Sequence, residues 1–146
     1  MTHPLRKICV FLLRCQKAAA ITEFALVAPI FLMGMFGIIE TSRLLWTKQT
    51  LDEVAYATAR CMSVSTSCTT AATQKDYAVA RAGRYGLKIL AANVTPTANT
   101  TCNALPTANQ IVVSQTFNSV MDGFVPGFPA SMTATGCYPR YPDPAS

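Results

Sequence analysis

The stretch AAAITEFALVAPIFLMGMFGII, residues 18–39, decides the architecture of this 146-residue chain. Glu23 is its only charged residue. As an α-helix these 22 residues would extend about 33 Å, which matches a bilayer hydrocarbon core of about 30 Å. A cleaved secretory signal has a shorter apolar core followed by small residues, whereas Glu40 and Arg43 follow here. We therefore predict a transmembrane helix that stays on the protein.

A short basic leader precedes the apolar stretch. Residues 1–18 contain Arg6, Lys7, Arg14 and Lys17 and no acidic residue, which predicts a cytoplasmic N-terminus. Subtracting these four from the 12 basic residues leaves eight against seven acids, so the net charge of +5 falls to about +1 beyond the leader. No basic stripe with stacking aromatics follows, and the pattern argues against nucleic-acid binding.

Cysteine usage indicates an exported, disulfide-bonded domain. Four of the six cysteines lie beyond the apolar stretch: Cys61, Cys68, Cys102 and Cys137. An even number in a small exported domain favours disulfides, and three pairings are possible. We favour Cys61–Cys68 with Cys102–Cys137. A zinc site is the competing reading, but no Cys-x-x-Cys occurs and the one histidine is His3.

Hydrophobic periodicity predicts that the first helix continues beyond the membrane to Met62, with one apolar face. That face consists of Leu44, Leu51, Val54, Ala55 and Met62. A second helix is predicted from Gln74 to about Ala92, after a Ser/Thr-rich stretch, residues 63–73. Its apolar face would be Val79, Gly83, Leu87 and Leu90, and a basic face of Arg81, Arg84 and Lys88 is most simply solvated.

The C-terminal third predicts a small antiparallel β region. Residues 93–109 are rich in Thr, Asn, Ala and Pro, which is typical of a loop. Residues 110–120 and 131–138 are the predicted strands, separated by a turn at 122–129 and followed by a loose, proline-rich tail. The fold class expected from these elements is α+β.

Features typical of catalysis are missing from the sequence. No histidine follows residue 3 to act as a base, and neither a phosphate-binding glycine loop nor a serine nucleophile elbow occurs. We therefore predict a structural protein and not an enzyme, with no cofactor, no metal and no small-molecule substrate.

Glu23 and Pro29 are the two unusual residues of the apolar stretch. A carboxylate costs about 2.5–3.5 kcal/mol at the centre of a membrane helix and less near its end. Either Glu23 lies at the headgroup boundary without a role, or it pairs with a cation from another chain. Pro29 frees a backbone carbonyl, which either allows the helix to bend during assembly or is tolerated curvature.

Residues 18–60 resemble the TadE-like minor pilins, or pseudopilins, of Tad/Flp pilus systems. The resemblance is carried by Glu23-Phe24, by Pro29 six residues after that glutamate, by Gly37-Ile-Ile-Glu40-x-x-Arg43, and by the Ala/Arg-rich end near Arg60. It implies that a membrane prepilin peptidase cuts between Ala18 and Ala19, where the family usually has Gly before the cut. Glu23 would then be the fifth mature residue, able to neutralise a neighbouring subunit's new α-amino group.

The resemblance also implies a localisation and a set of partners. We expect a leader at 1–18, a transmembrane helix at 19–39 and an exported α+β domain at 40–146, in the periplasm of a bacterial inner membrane. The implied partners are the prepilin peptidase, membrane lipid, and other pilin-like subunits contacted through Glu23, Phe24 and Pro29. The alternative is an uncleaved, signal-anchored protein whose exported domain binds a ligand or partner. Its leader would persist, and Glu23 would tolerate Ala or Gln.

Overall fold

The computed structural model describes residues 16–120 and 129–140. The predicted turn at 122–129 and the loose tail lie almost wholly outside the described residues, as does most of the basic leader. The chain divides into two units, residues 1–39 and residues 40–146. The elements are α1 (Gln16–Val64), α2 (Ala71–Arg84), a 3₁₀ turn (Ala91–Asn93), β1 (Val94–Cys102), β2 (Leu105–Thr116) and β3 (Ser131–Pro139). The predicted α+β class is confirmed.

Helix α1 continues well past the apolar stretch, as predicted. It runs for 49 residues with Pro29 inside it. Beyond residue 40 one face becomes the core of the second unit: Leu51, Val54, Ala55 and Ala59 are fully buried. Each large buried side chain there contributes about 1.5–3 kcal/mol relative to exposure. The helical spacing read from the sequence therefore identified the correct face.

Helix α2 begins three residues earlier than predicted. Thr70 and Thr73 form a reciprocal cap, in which the Thr70 hydroxyl accepts from the Thr73 amide (3.3 Å) and the Thr73 hydroxyl accepts from the Thr70 amide (3.2 Å). Such a cap satisfies amides that the first turn of a helix leaves unpaired. The Ser/Thr-rich stretch therefore contains the start of α2 as well as the end of α1.

Helix α2 also ends earlier than predicted, at Arg84 instead of near Ala92. Gly86 has φ +76°, and the amides of Gly86 and Leu87 donate to the carbonyls of Gly83 (3.0 Å) and Ala82 (3.1 Å). This is the Schellman arrangement, in which a left-handed glycine stops the helix. The predicted apolar face was right in part. Val79 and Leu87 are partly buried against the core, whereas Gly83 and Leu90 are exposed and the buried residues of α2 are Gln74, Ala78 and Ala82.

The three strands form one antiparallel sheet in the order β1-β2-β3. Strands β2 and β3 pair without interruption from Ala108↔Pro139 to Thr116↔Ser131. This pairing confirms the two predicted strands, although β2 begins at Leu105, five residues before the predicted start. Side chains alternate along β2, so that Ile111 and Val113 are buried in the core.

The predicted loop at 93–109 was wrong, because these residues form β1 and the start of β2. A two-residue turn, Asn103 (φ +48°) and Ala104 (φ +64°), connects the strands. Hairpins favour turns with positive φ at both positions, usually with glycine in the second. The hairpin was not predicted because alanine occupies that position and because the surrounding residues are rich in Thr and Asn, which is typical of a loop. Pairing with β2 supplies the backbone hydrogen bonds that local composition does not predict.

Helix α1 packs directly on β3. A Cβ atom added to Gly136 would overlap the main chain of Ala55 and Tyr56. The neighbouring rings of Tyr56 and Tyr138 pack edge to face, with centroids 5.8 Å apart. Glycine at 136 is therefore required by the close approach of the two backbones.

Candidate functional site

The apolar half of α1 exposes its large side chains on all sides. The exposed set includes Ile21, Phe24, Leu26, Val27, Ile30, Phe31, Met33, Phe36, Ile38 and Ile39. Leaving such side chains in water costs about 1.5–3 kcal/mol each, so the segment requires an apolar environment. A helix also satisfies its own backbone hydrogen bonds, as a bilayer demands. Within the described residues one helix is, by its length and composition, long and apolar enough to cross a membrane.

The three predicted assembly residues share this helix but do not form a single cluster. Glu23, Phe24 and Pro29 are all exposed. At 100° per residue, Phe24 is a quarter-turn from Glu23, and Pro29 lies about 120° away on the other side. The predicted cleavage pair, Ala18 and Ala19, lies in the same helix, whose first residue is Gln16. Any partner helix therefore meets these residues from different directions.

A second site, missed by the sequence reasoning, centres on Glu40. This carboxylate is only 4% exposed. Its Oε2 atom accepts from Arg43 Nη1 (2.7 Å), and its Oε1 atom accepts from the amide of Val120 (3.0 Å). A hydrogen bond from the Ser119 side chain most strongly lowers the pKa of Glu40, with help from Val120 and Arg43, while burial opposes the change. Glu40 is thus held as a carboxylate by three donors.

Arg43 completes this site, which we call the Glu40 clasp (Glu40, Arg43 and residues 117–120). Its guanidinium lies 5.6 Å from the centroid of the Phe117 ring, within cation–π range. The clasp fastens the segment that leaves β2 to the part of α1 that directly follows the apolar stretch. The signal in the sequence was the Glu40-x-x-Arg43 spacing, which places both side chains on one helix face. The sequence around Glu40 gives no indication of its partners at residues 117–120, which lie nearly 80 residues further along the chain.

Two further polar contacts hold α1 in the second unit. Arg81 donates to Glu53 (2.8 Å), which joins α2 to α1 and raises the pKa of Arg81. The prediction of a simply solvated basic face is therefore wrong for Arg81. Lys48 donates both to Asp52 (2.8 Å) and to the carbonyl of Thr133 on β3 (2.8 Å).

Both favoured disulfides are present. Cys61–Cys68 joins the end of α1 to the segment before α2, and Cys102–Cys137 joins β1 to β3. Strands β1 and β3 are each paired with β2 and not with each other. The Cys102–Cys137 disulfide therefore links the two outer strands of the sheet directly. By chain entropy, closing loops of these lengths contributes about 2.5 and about 4 kcal/mol. In residues 16–120 and 129–140 no group of three or more His, Cys, Asp or Glu is arranged to hold a metal.

These features define a class of protein: an apolar helix able to span a membrane once, continuing into a disulfide-bonded α+β unit. Residues 18–60 match the family model of TadE-like proteins, and this match covers 43 of the 146 residues. The resemblance found in the sequence is thereby confirmed over the same residues. TadE-like proteins are a structural family associated with Tad pilus systems, and not a family of enzymes. No curated protein and no solved structure matches the chain.

Proposed function

We propose that this chain is a minor pilin, or pseudopilin, that takes part in assembling a Tad/Flp-type pilus after trimming by a prepilin peptidase. One observation carries the proposal: a single helix exposes apolar side chains up to Ile39 and buries a conventional core face from Leu51 onward. Such a helix holds a folded unit outside the bilayer and offers an apolar surface to lipid or to like helices. The TadE-like match over residues 18–60 supports the same role.

In this proposal the unprocessed chain is a single-pass protein of a bacterial inner membrane. The basic leader stays in the cytoplasm, since basic residues favour that side, and residues 40–146 fold in the periplasm. An oxidising periplasm suits the two disulfides of that unit.

Cleavage between Ala18 and Ala19 gives Glu23 a chemical partner. The new α-amino group at Ala19 is a cation at the start of an apolar helix, and Glu23 follows one helical turn later. Burying either charge alone in hydrocarbon is costly, so pairing the amine of one subunit with Glu23 of the next offsets both costs. This pairing also fixes how far one helix slides along another. Pro29 leaves the carbonyl of Ala25 without its helical donor, which eases bending as the helix leaves lipid.

The test is the intact mass and N-terminal sequence of the membrane-extracted protein, produced with and without a prepilin peptidase. We expect a peptidase-dependent start at Ala19. Ala18→Leu places a bulky side chain before the cut and blocks it. Ala20→Leu, the same change two residues away in the same helix, is the matched control and leaves the start unchanged.

A start at Met1 or Thr2 in both samples contradicts the proposal. The chain would then be an uncleaved, signal-anchored protein whose exported unit binds a ligand or partner. A peptidase-dependent start elsewhere in residues 16–23 keeps the pilin role but removes the proposed spacing between the new amine and Glu23.

A further inference from the structure

A groove of about 440 Å³ lies between α1 and the turn that ends α2. One wall is Arg43, Trp46 and Thr47, and the other is Tyr85–Leu87. The Schellman turn at Gly86 sets the position of the second wall. All of these residues belong to the second unit. The volume is within the range of small-ligand sites, about 300–1,000 Å³.

The side chains of this groove combine amphipathic rings with positive charge. Trp46 is 59% exposed and Tyr85 is 38% exposed, although both are large rings. Arg84 and Lys88 are exposed and lie directly before and after the second wall. The Arg43 side chain is 53% exposed while it pairs with Glu40. Three basic groups against one carboxylate leave this surface positive, which suits an anionic ligand.

The groove also follows the apolar stretch closely along α1. Arg43 is four residues beyond Ile39, and Trp46 is seven residues beyond it, which correspond to about 6 Å and about 10 Å of helix. The headgroup layer of a bilayer extends about 5–8 Å beyond the hydrocarbon core on each side. Helical side chains also lean toward the N-terminus, which brings both groups closer to that layer. Trp and Tyr rings are typical of this depth.

We propose that this groove binds the headgroup of an anionic phospholipid from the outer surface of the membrane that α1 crosses. The lipid phosphate meets the basic groups of Arg43, Arg84 and Lys88, and the outer part of the headgroup packs against Trp46 and Tyr85. This proposal rests on the membrane-spanning role proposed above. A bound headgroup holds the exported unit against the bilayer before the subunit leaves it.

The structure supplies the probe for a test, because Trp46 is the only tryptophan in the chain. The full-length protein is placed in phosphatidylcholine nanodiscs containing an increasing fraction of phosphatidylglycerol, and Trp46 emission is followed. We expect a saturable change with phosphatidylglycerol. Each basic side chain near an anionic surface is worth about a five-fold change in affinity. In Arg84→Gln/Lys88→Gln we therefore expect the half-saturating fraction to rise about 25-fold, so that saturation is lost.

The matched control is Arg60→Gln/Lys75→Gln, which removes the same charge from exposed or half-exposed positions away from the groove. It is expected to keep the saturable response. A response that is linear, unaffected by Arg84→Gln/Lys88→Gln, or equally weakened in the control overturns the proposal. So does an equal response to inorganic phosphate added to pure phosphatidylcholine nanodiscs. Failure of the chain to co-elute with nanodiscs refutes the spanning helix itself, whereas co-elution without a lipid response refutes only the groove.

Discussion

Replacing Gly136 with alanine tests the closest contact in the fold, where α1 lies on β3. The added Cβ would overlap main-chain atoms of Ala55 and Tyr56, which have no side-chain freedom to yield. Carbon atoms pack at about 3.5–4.0 Å, so α1 would have to lift from β3 by roughly 1 Å or more. Lifting would loosen the fully buried Leu51 and Ala59 on the same helix.

Overpacking a well-filled core costs about 1–3 kcal/mol, and a clash with two backbones belongs at the upper end. A loss of about 3 kcal/mol lowers the Tm of a unit of roughly 100 residues by about 13 °C. We would measure thermal unfolding of the full-length protein in detergent, with the disulfides intact. Trp46 is the single tryptophan and lies in the second unit, so its fluorescence reports that unit without a contribution from residues 1–39.

Gly83→Ala is the matched control for this substitution. A Cβ at 83 meets nothing within 4 Å, and the residue lies inside α2. Alanine is a better helix former than glycine by up to about 1 kcal/mol, so the Tm should rise by about 4 °C. Replacing glycine with alanine is thus expected to lower the Tm at position 136 and to raise it at position 83. Equal Tm values for Gly136→Ala and the wild type would show that α1 does not rest directly on β3.

Three further outcomes follow from the charges and the disulfides. Glu23→Gln should lower the amount of the chain recovered in assembled fibres, while its abundance in the membrane stays constant. Glu23→Asp keeps the charge and should restore part of the recovery in fibres. Equal recovery of the wild type and both variants would contradict the proposed charge pairing. Since the pKa of Glu40 lies below its ordinary value of 4.5, its stabilisation is present above that pH and is lost as the pH falls through the lowered pKa. The Tm of the wild type should therefore fall more steeply below pH 4.5 than that of Glu40→Gln, and parallel curves would contradict the clasp. Removing the Cys102–Cys137 bond by a double serine substitution should cost about 4 kcal/mol against about 2.5 kcal/mol for the shorter disulfide, and a reversed order in urea unfolding would argue against the chain-entropy account.

Helix α1, the longest element, was predicted well from the apolar stretch and the helical spacing of the residues after it. The 22-residue stretch 18–39, with one charged residue, predicts a helix long and apolar enough to span a membrane, and the spacing of Leu51, Val54 and Ala55 predicts the face that is buried afterwards. The disulfides were also accessible, because a local pair and a long-range pair are the simplest use of four cysteines. These features depend on the spacing of residues along the chain, which a sequence states directly.

Features that depend on distant partners were not accessible in the same way. The β1–β2 hairpin at Asn103-Ala104 lacks the usual glycine, and it is stabilised because β2 also pairs with β3. Helix α2 buries its small residues Ala78 and Ala82 fully in the core, whereas the larger Val79 and Leu87 are only partly buried. The size of a side chain therefore did not indicate which residues of α2 lie deepest. The Glu40 clasp could not be predicted, because the sequence does not show that residues 117–120 lie beside Glu40 in the fold.

In the proposed role of a pilus subunit, the bond between Cys102 and Cys137 has a mechanical consequence. Residues between the two cysteines form a covalently closed loop with a sequence separation of 35. Under tension such a loop is bypassed, because force passes from one sulfur to the other. About 120 Å of contour length is therefore withheld from extension. A pulled subunit would lengthen only through the residues outside its two covalent loops, and β2 would remain enclosed while its surroundings unravel.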